Sequence, residues 1–549
     1  MEGQILDNAV SSFREVCDRA YEEQKNFLLR IIKKNAHTEF GEKYGFEKIH
    51  DREDYGRNVP LSDFSDYDES VSRIINGERN ILSAEPPVYY NISAGSTGEP
   101  KYVPLCREDI EKQHLYEDLT VCGIIKESLP EFSEDELFGC IFNLGEVYLT
   151  FMPDGIMNGV RSGAFFRLEH KEGKFDLDIF SAPEEILFPK KLEDIQYLKV
   201  RSALSNANIT AIHGVFVHRA VGMFTFIEKY WDELIYDIEH GTVSECFEIS
   251  DEWREFIKKK MLPDPVRAQE LKSIDKAKLS DGMLPKIWKK LKYIRTICGK
   301  SFNPFSDRLY HMAGNVPFHG FAYASSESNI GIAPHLGVMD EYVLLPDVCY
   351  FEFIPEDDMD DPKEILTFEQ IEKGKRYELV ITTLSGLYRY RIGDIVEVTS
   401  FYGKAPAVKI CYRKNLVISL LDERVNIMQL ENTMKMFTER TGIVVENYCV
   451  AGNFDGDVPK YVMYLETENK IDPDLSKALD GCFCENSLGY KSARFINDLG
   501  EAEIRKVRKG TFRDYENFCR EKGKRTEQAK ILRVLTEESQ YKFFEEARE

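Results

Sequence analysis

No stretch of the 549-residue chain approaches the roughly 18 uninterrupted apolar residues that a membrane-crossing helix requires. Its most apolar region, residues 211–227, is broken by His213, His218 and Arg219. The opening residues, MEGQILDNAV, lack the positive segment and apolar core of a secretory leader. Cysteine is sparse: there are 12, without the spacing of a disulfide framework, and the tightest pair, Cys482 and Cys484, is one residue too close for Cys-x-x-Cys. Reduced thiols in a soluble cytoplasmic protein are therefore expected. Repeats and low-complexity tracts are absent, which excludes solenoids and arrays. Positive charge is in deficit, with 72 Lys+Arg against 95 Asp+Glu and a net charge of −23. A surface this acidic repels nucleic acid and anionic membranes, so neither is expected as a partner. There is no G-x-x-x-x-G-K-[ST] loop, so the chain is not a P-loop nucleotide hydrolase.

What is present is material for a large folded protein. Hydrophobic residues make up 43 % of the chain, enough for a substantial core, and the length predicts two to four domains. Phe13, Val16, Tyr21, Phe27, Leu28, Ile31 and Ile32 recur at helical spacing, as do apolar residues across 211–240. Residues 88–92, the end of 286–298, 343–354 and 377–383 are β-branched and aromatic and predict strands. Strands alternating with helices predict an α/β (mixed α+β) architecture. A boundary falls near residues 404–416. Beyond it, 428–436 and 511–521 predict helices, and 444–450 and 461–465 predict strands. A large domain over 1–410 and a small α+β domain over 411–549 follow.

Four segments can carry chemistry. Residues 93–101, SAGSTGEPK, follow a strand and combine glycine, hydroxyls and Lys101. Glycine lets the backbone approach a phosphate, hydroxyls and N–H groups donate to its oxygens, and lysine adds charge. The same composition serves equally well as a turn. In Tyr323-Ala324-Ser325-Ser326-Glu327, a small-residue turn closes on a carboxylate suited to a hard cation, or simply caps a helix. In Tyr388-Arg389-Tyr390-Arg391-Ile392-Gly393-Asp394, the acid can accept from ribose hydroxyls; an edge strand with Arg and Tyr on opposite faces explains the alternation but not the Gly-Asp. Residues 505–533 hold eleven Lys/Arg against four acids, a solvated face or the setting of one functional lysine.

In order and spacing these segments resemble the adenylate-forming superfamily, and more closely the Gretchen Hagen family of acyl-acid amido synthetases. Tyr323 to Glu327 is similar to that family's Tyr-Ala-Ser-Ser-Glu motif, and LYRYRIGDIVEV (387–398) to its third motif. NAHTEFGEKYGF (35–46), Val59-Pro60-Leu61, YFEFIP (350–355), YELVITT (377–383), Arg413-Lys414-Asn415 and Gly510-Thr511-Phe512 extend the resemblance over essentially the whole chain.

The resemblance implies the adenylate-forming fold, with a small mobile C-terminal domain. It also implies ATP and Mg²⁺ as cofactors, a carboxylic acid and an amino acid as small-molecule partners, and a monomer. Ser93, Ser96, Thr97, Gly98 and Lys101 match the phosphate loop. Tyr323 matches the residue beside adenine, Ser326 a phosphate-side hydroxyl, Glu327 the Mg²⁺ carboxylate and Asp394 the ribose ligand. Arg413 and Lys414 fall at the hinge, and Lys530 matches the lysine that reaches the α-phosphate. The chain departs from the family in a shorter loop with Ala94, and in Ala529 where a tyrosine commonly precedes the lysine; Lys524 is the fallback. Phe216, Met223, Phe224 and Leu336 are the candidates for the acyl pocket, although for most of the first three ordinary core at helical spacing is the better reading. A thiol acceptor and a non-catalytic binding protein are the alternatives; retention of Glu327, Asp394 and Lys530 argues against the second.

Overall fold

The structure is a computed structural model and describes residues 2–93, 101–145, 150–171, 177–189, 195–297, 303–359, 362–414, 416–421, 423–456, 458–521, 532–535 and 537–549. The chain divides into two compact units, the first over residues 1–93 and 102–412 and the second over residues 94–101 and 413–549. Among the described residues, no helix is long and apolar enough to cross a membrane.

The first unit begins with helices Glu2–Asp18 and Ala20–Lys34. Their apolar stripe is buried as the spacing predicts: Phe13, Val16, Phe27, Leu28, Ile31 and Ile32 all lie in the core. The largest sheet has seven strands in the order Cys349–Pro355, Arg376–Thr383, Tyr390–Tyr402, Ala405–Arg413, Tyr342–Leu344, Asn329–Ile332 and Ala322–Ala324. Residues 343–354 thus form two strands rather than one, separated by the turn after Leu345. A four-stranded sheet holds Tyr89–Ser93 between Lys101–Leu105 and Met157–Gly159, with Thr150–Phe151 outermost. These two sheets share one apolar core with the first helix.

The same unit contains a second four-stranded sheet, ordered Ile141–Asn143, Ala211–Phe216, Tyr293–Ile297 and Phe318–His319, every pair parallel. Here the sequence expectation needs correction. Residues 211–240 are not helical throughout: 211–216 form a strand, followed by helices Val217–Lys229 and Trp231–His240. A parallel strand buried on both faces reads as a continuous apolar run, so periodicity does not separate it from a buried helix. Trp231 and Trp288 fill the core under this sheet, and the Trp288 Nε1–H donates to Ala203 O at 3.0 Å.

The second unit holds strands Asn447–Asn453, Lys460–Glu466 and Glu503–Val507. Its helix Ile427–Thr441 has both end signals in the sequence: an Asn426/Gln429 capping box and Gly442 at φ 72°, where the left-handed turn suits glycine. Helices Pro473–Asn486 and Thr511–Glu521 complete the α+β pattern.

Candidate active site

Two of the sequence-predicted segments meet in the seven-stranded sheet. Ala322–Ala324 is its edge strand and returns along Asn329–Ile332. The intervening turn is tied by Ser325: its N–H donates to Ser328 O at 2.9 Å, and its hydroxyl accepts from the N–H groups of Glu327 and Ser328, each at 3.2 Å. A serine that bonds its own backbone this way closes a tight turn without a helix. The turn leaves Ser326 partly exposed and buries Glu327.

Asp394 owes its position to a bulge. Arg376, Tyr377 and Glu378 pair with Glu397, Val396 and Ile395, whereas Val380 and Ile381 pair with Arg391 and Tyr390. Ile392, Gly393 and Asp394 therefore oppose Leu379 alone. Gly393 takes φ 82°, which a side chain disfavours. Such a bulge re-aims a side chain and is common beside active sites. The strand is also not the edge strand that the alternation suggests, since it lies third of seven. Its arginines are tolerated inside because each meets a carboxylate: Arg389 pairs with Glu352 at 3.0 Å and Arg391 Nε donates to Glu378 at 2.9 Å. Arg389 itself sits at φ 48°, a strained left-handed conformation held by its bonds to Glu352, Gly56 O and Val59 O.

The two acids are locked in a crossed arrangement. Tyr323 OH donates to Asp394 Oδ2 at 2.7 Å, and Tyr390 OH donates to Glu327 Oε1 at 3.0 Å. Each tyrosine stands four residues before the acid of its own segment and holds the acid of the other. Both carboxylates are buried. A third element joins them: Asn91 Nδ2 donates to Ser326 O at 2.8 Å, so the strand that runs into residues 94–100 lies against this turn. Sequence reasoning misses Tyr390 and Asn91. The repeated tyrosine-to-acid spacing of four is the signal that could have found Tyr390; Asn91, inside an apolar strand, is marked only by being polar.

Lys101 opens its strand and is partly exposed. Ser93 ends its strand, but its side chain lies outside the described residues, as does that of Phe216. Ser96, Thr97, Gly98 and Lys530 lie wholly outside them, as does Lys524. Arg413 ends the strand Ala405–Arg413, and with Lys414 it is the first residue pair beyond the division of the chain. Met223 and Phe224 are buried in the core of the parallel sheet, Phe224 edge-on to Phe142, whereas Leu336 packs on the other core. The structure does not bring these three together, because the helical stripe of Met223 and Phe224 is used for packing.

The donors suit a hard cation held chiefly by phosphate and water. One buried carboxylate with a serine beside it is an all-oxygen set, and among the described residues no three metal-ligating side chains converge. Mg²⁺ retains waters and substrate phosphates around one or two carboxylates, so this set fits it.

Comparison with known proteins covers nearly the whole chain. Residues 9–318 match the GH3 family N-terminal domain, 342–413 the GH3 family central domain and 428–539 the GH3 family C-terminal domain. The Arabidopsis thaliana indole-3-acetic acid-amido synthetase GH3.3 is 28 % identical, over 93 % of this chain and 89 % of its own. The jasmonoyl–L-amino acid synthetase GH3.5 of Oryza sativa subsp. japonica is 28 % identical, over 92 % and 91 % respectively. The solved AtGH3.15 acyl acid amido synthetase in complex with 2,4-DB has the same fold, with a TM-score of 0.67 and 22 % identity, covering 99 % of this chain and 96 % of that one.

Proposed function

The chain belongs to the GH3 family, and from that premise we propose that it is an ATP-dependent acyl-acid amido synthetase. A carboxylate oxygen of the acyl acid attacks the α-phosphorus of ATP, and pyrophosphate leaves with the electrons of the broken P–O bond. The amine of an amino acid then attacks the acyl carbon, AMP departs, and the nitrogen loses a proton to give the amide. A free carboxylate is a poor electrophile, and the adenylate makes its carbon reactive. The protein's contribution is alignment and charge neutralisation.

The observation that carries this reading is the crossed pair of hydrogen bonds, Tyr323 to Asp394 and Tyr390 to Glu327. It supports the reading because it holds two carboxylates, Asp394 and Glu327, in buried positions beside the strand that leads into residues 94–100. In this reading Asp394 accepts from the ribose hydroxyls and Tyr323 packs beside adenine. Ser93, Ser96, Thr97, Gly98 and Lys101 hold the phosphates, with Ser326 adding a hydroxyl. Glu327 would hold Mg²⁺, which when bound neutralises phosphate charge. Lys530 is assigned to the α-phosphate during adenylation and Arg413 and Lys414 to the hinge, with the basic segment 505–533 as the setting of that lysine. The protein acts as a soluble cytoplasmic monomer on small molecules.

The test is pyrophosphate release over a matrix of carboxylic acids and amino acids, with products identified by mass spectrometry. An amide formed only when acid, amino acid and ATP are all present is the expected outcome. Product that forms only with a thiol refutes the amino-acid acceptor, and a complete lack of ATP turnover refutes the enzyme reading. Lys530→Ala should cut ATP–pyrophosphate exchange at least a hundredfold while leaving the melting temperature unchanged; exchange at the wild-type rate removes that lysine from the mechanism.

A further inference from the structure

A cavity of about 220 Å³ opens beside the strand Cys349–Pro355, at the opposite edge of the seven-stranded sheet from Ala322–Ala324. Its walls come from the helix Ala20–Lys34, the start of the helix Arg52–Asn58, Tyr350 of the strand, and residues 367–369. Tyr21, Leu28, Leu29 and Phe368 make those walls largely apolar. An apolar cavity of about 150 Å³ already holds benzene, so this one has room for a ring with a short arm.

Most of the polar groups around it are already spent. The Gln24 amide donates to Pro346 O at 2.7 Å and to Cys349 O at 2.5 Å, and accepts from the Phe351 N–H at 2.7 Å. Arg52 reaches Glu53 at 2.7 Å, Thr367 at 2.9 Å and Glu369 at 3.6 Å, which neutralises the acids on that rim. Asp51 accepts from the Asp54 N–H at 2.7 Å. Two donors remain. Tyr350 is only 4 % exposed, yet its hydroxyl has no hydrogen-bond partner among the described residues. Lys25 is exposed at the mouth, and no carboxylate pairs with it among the described residues. Apolar walls with a few unspent donors are the makeup of a site for a small organic anion.

The cavity also lies between the two elements that clamp Arg389. Tyr350 and Glu352 are two apart on one strand and so share a face, and Arg389 Nε donates to Glu352 at 3.0 Å. The other wall, the helix Arg52–Asn58 with the residue after it, supplies the Gly56 and Val59 carbonyls that accept from Arg389 at 3.0 and 2.8 Å. A third link joins them. The Tyr350 ring meets Tyr55 edge-on at 6.1 Å, Tyr55 OH shares a 2.7 Å hydrogen bond with Thr382 Oγ1, and that oxygen accepts from the Arg389 N–H at 3.0 Å. Arg389 immediately precedes Tyr390, whose hydroxyl holds Glu327, and Asp394 lies on the same strand.

We propose that this cavity is an effector site for a small aryl or branched-alkyl carboxylate. The body fills the space between Leu28, Leu29 and Phe368, and the carboxylate accepts from Tyr350 OH and Lys25. Its occupant binds the arrangement in which Arg389 is clamped, so it favours that arrangement and strengthens nucleotide binding; by reciprocity, nucleotide strengthens binding of the effector. The coupling to nucleotide rests on the amido synthetase reading; the site itself does not.

The experiment uses the full chain, phenylacetate as the probe, and titration calorimetry. Phenylacetate should bind saturably, and Lys25→Ala, at an exposed position, should weaken that binding about fivefold. Leu29→Trp, which fills the cavity, should abolish it. If phenylacetate also occupies a substrate site, the isotherm shows two classes and each variant loses one. AMP carries the ribose but forms no adenylate with an acid. Its affinity should rise about fivefold in saturating phenylacetate for the wild type and stay unchanged for Lys25→Ala. No saturable binding, binding that Lys25→Ala leaves intact, or an AMP affinity indifferent to phenylacetate each overturns the proposal and leaves the amido synthetase reading standing. Failure of both AMP and ATP to bind overturns that reading and the proposal with it.

Discussion

Replacing Tyr390 with phenylalanine removes one oxygen atom and separates the two halves of the crossed lock. In the wild type the Tyr390 hydroxyl donates to Glu327 Oε1 at 3.0 Å inside a buried frame. A hydrogen bond to a charged group is worth about 1.5–3 kcal/mol, and a buried acceptor left unpaired loses that and gains no water in return. If Glu327 must be held in one orientation for the metal-bound phosphates, the loss appears in the adenylation barrier. At about 1.36 kcal/mol per decade, it corresponds to a roughly 10- to 150-fold fall in rate. The assay is ATP–pyrophosphate exchange at varied Mg²⁺. Tyr390→Phe should exchange more slowly and require more Mg²⁺ for half-maximal rate, with KM for ATP at saturating metal little changed. Tyr323→Phe should do the reverse, because its hydroxyl serves Asp394: KM for ATP rises and the Mg²⁺ requirement stays. If both variants show the same profile, or Tyr390→Phe exchanges at the wild-type rate, the crossed bonds do not divide the work between ribose and cation, and the reasoning fails.

Gly393→Ala places a side chain at φ 82°, costing about 1–2 kcal/mol, and should unmake the bulge that aims Asp394; KM for ATP should rise several-fold, measured by exchange, while the fold persists by circular dichroism. Burial pushes Glu117 up to about 7, above its unfolded value near 4.5, so the folded state holds the extra proton between those limits and stability falls as pH rises from about 5 towards 7. Glu117→Gln removes that dependence; its melting temperature relative to wild type should increase between pH 5 and pH 8, and a constant difference would show that Glu117 does not titrate in this window.

How much of this fold could be read from the sequence depends on what each segment packs against. The first two helices, Ile427–Thr441 and Thr511–Glu521 are amphipathic with one solvated side, so their period is visible, and the Asn426 cap and Gly442 stop are local chemistry. The strand Ala211–Phe216 was not legible because it has no solvated side to break the apolar run. The strand Tyr390–Tyr402 misleads in the opposite direction: its arginines read as an exposed edge, and only the partners Glu352 and Glu378, on other strands, make them interior. Long-range neutralisation leaves no trace in a local window.

The site divides along the same line. Glu327 and Asp394 are visible because their chemistry requires small neighbours, serine at 325 to close the turn and glycine at 393 to open the bulge, and small residues beside an acid stand out. Tyr390 is marked only by its four-residue spacing to an acid, and Asn91 is unremarkable in a strand until its partner is known. The polar row of the parallel sheet combines both conditions. His213, Arg295 and His319 lie 82 and 24 residues apart in sequence, and only strand register makes them neighbours. A row of side chains built across a parallel sheet is therefore what a linear reading finds last.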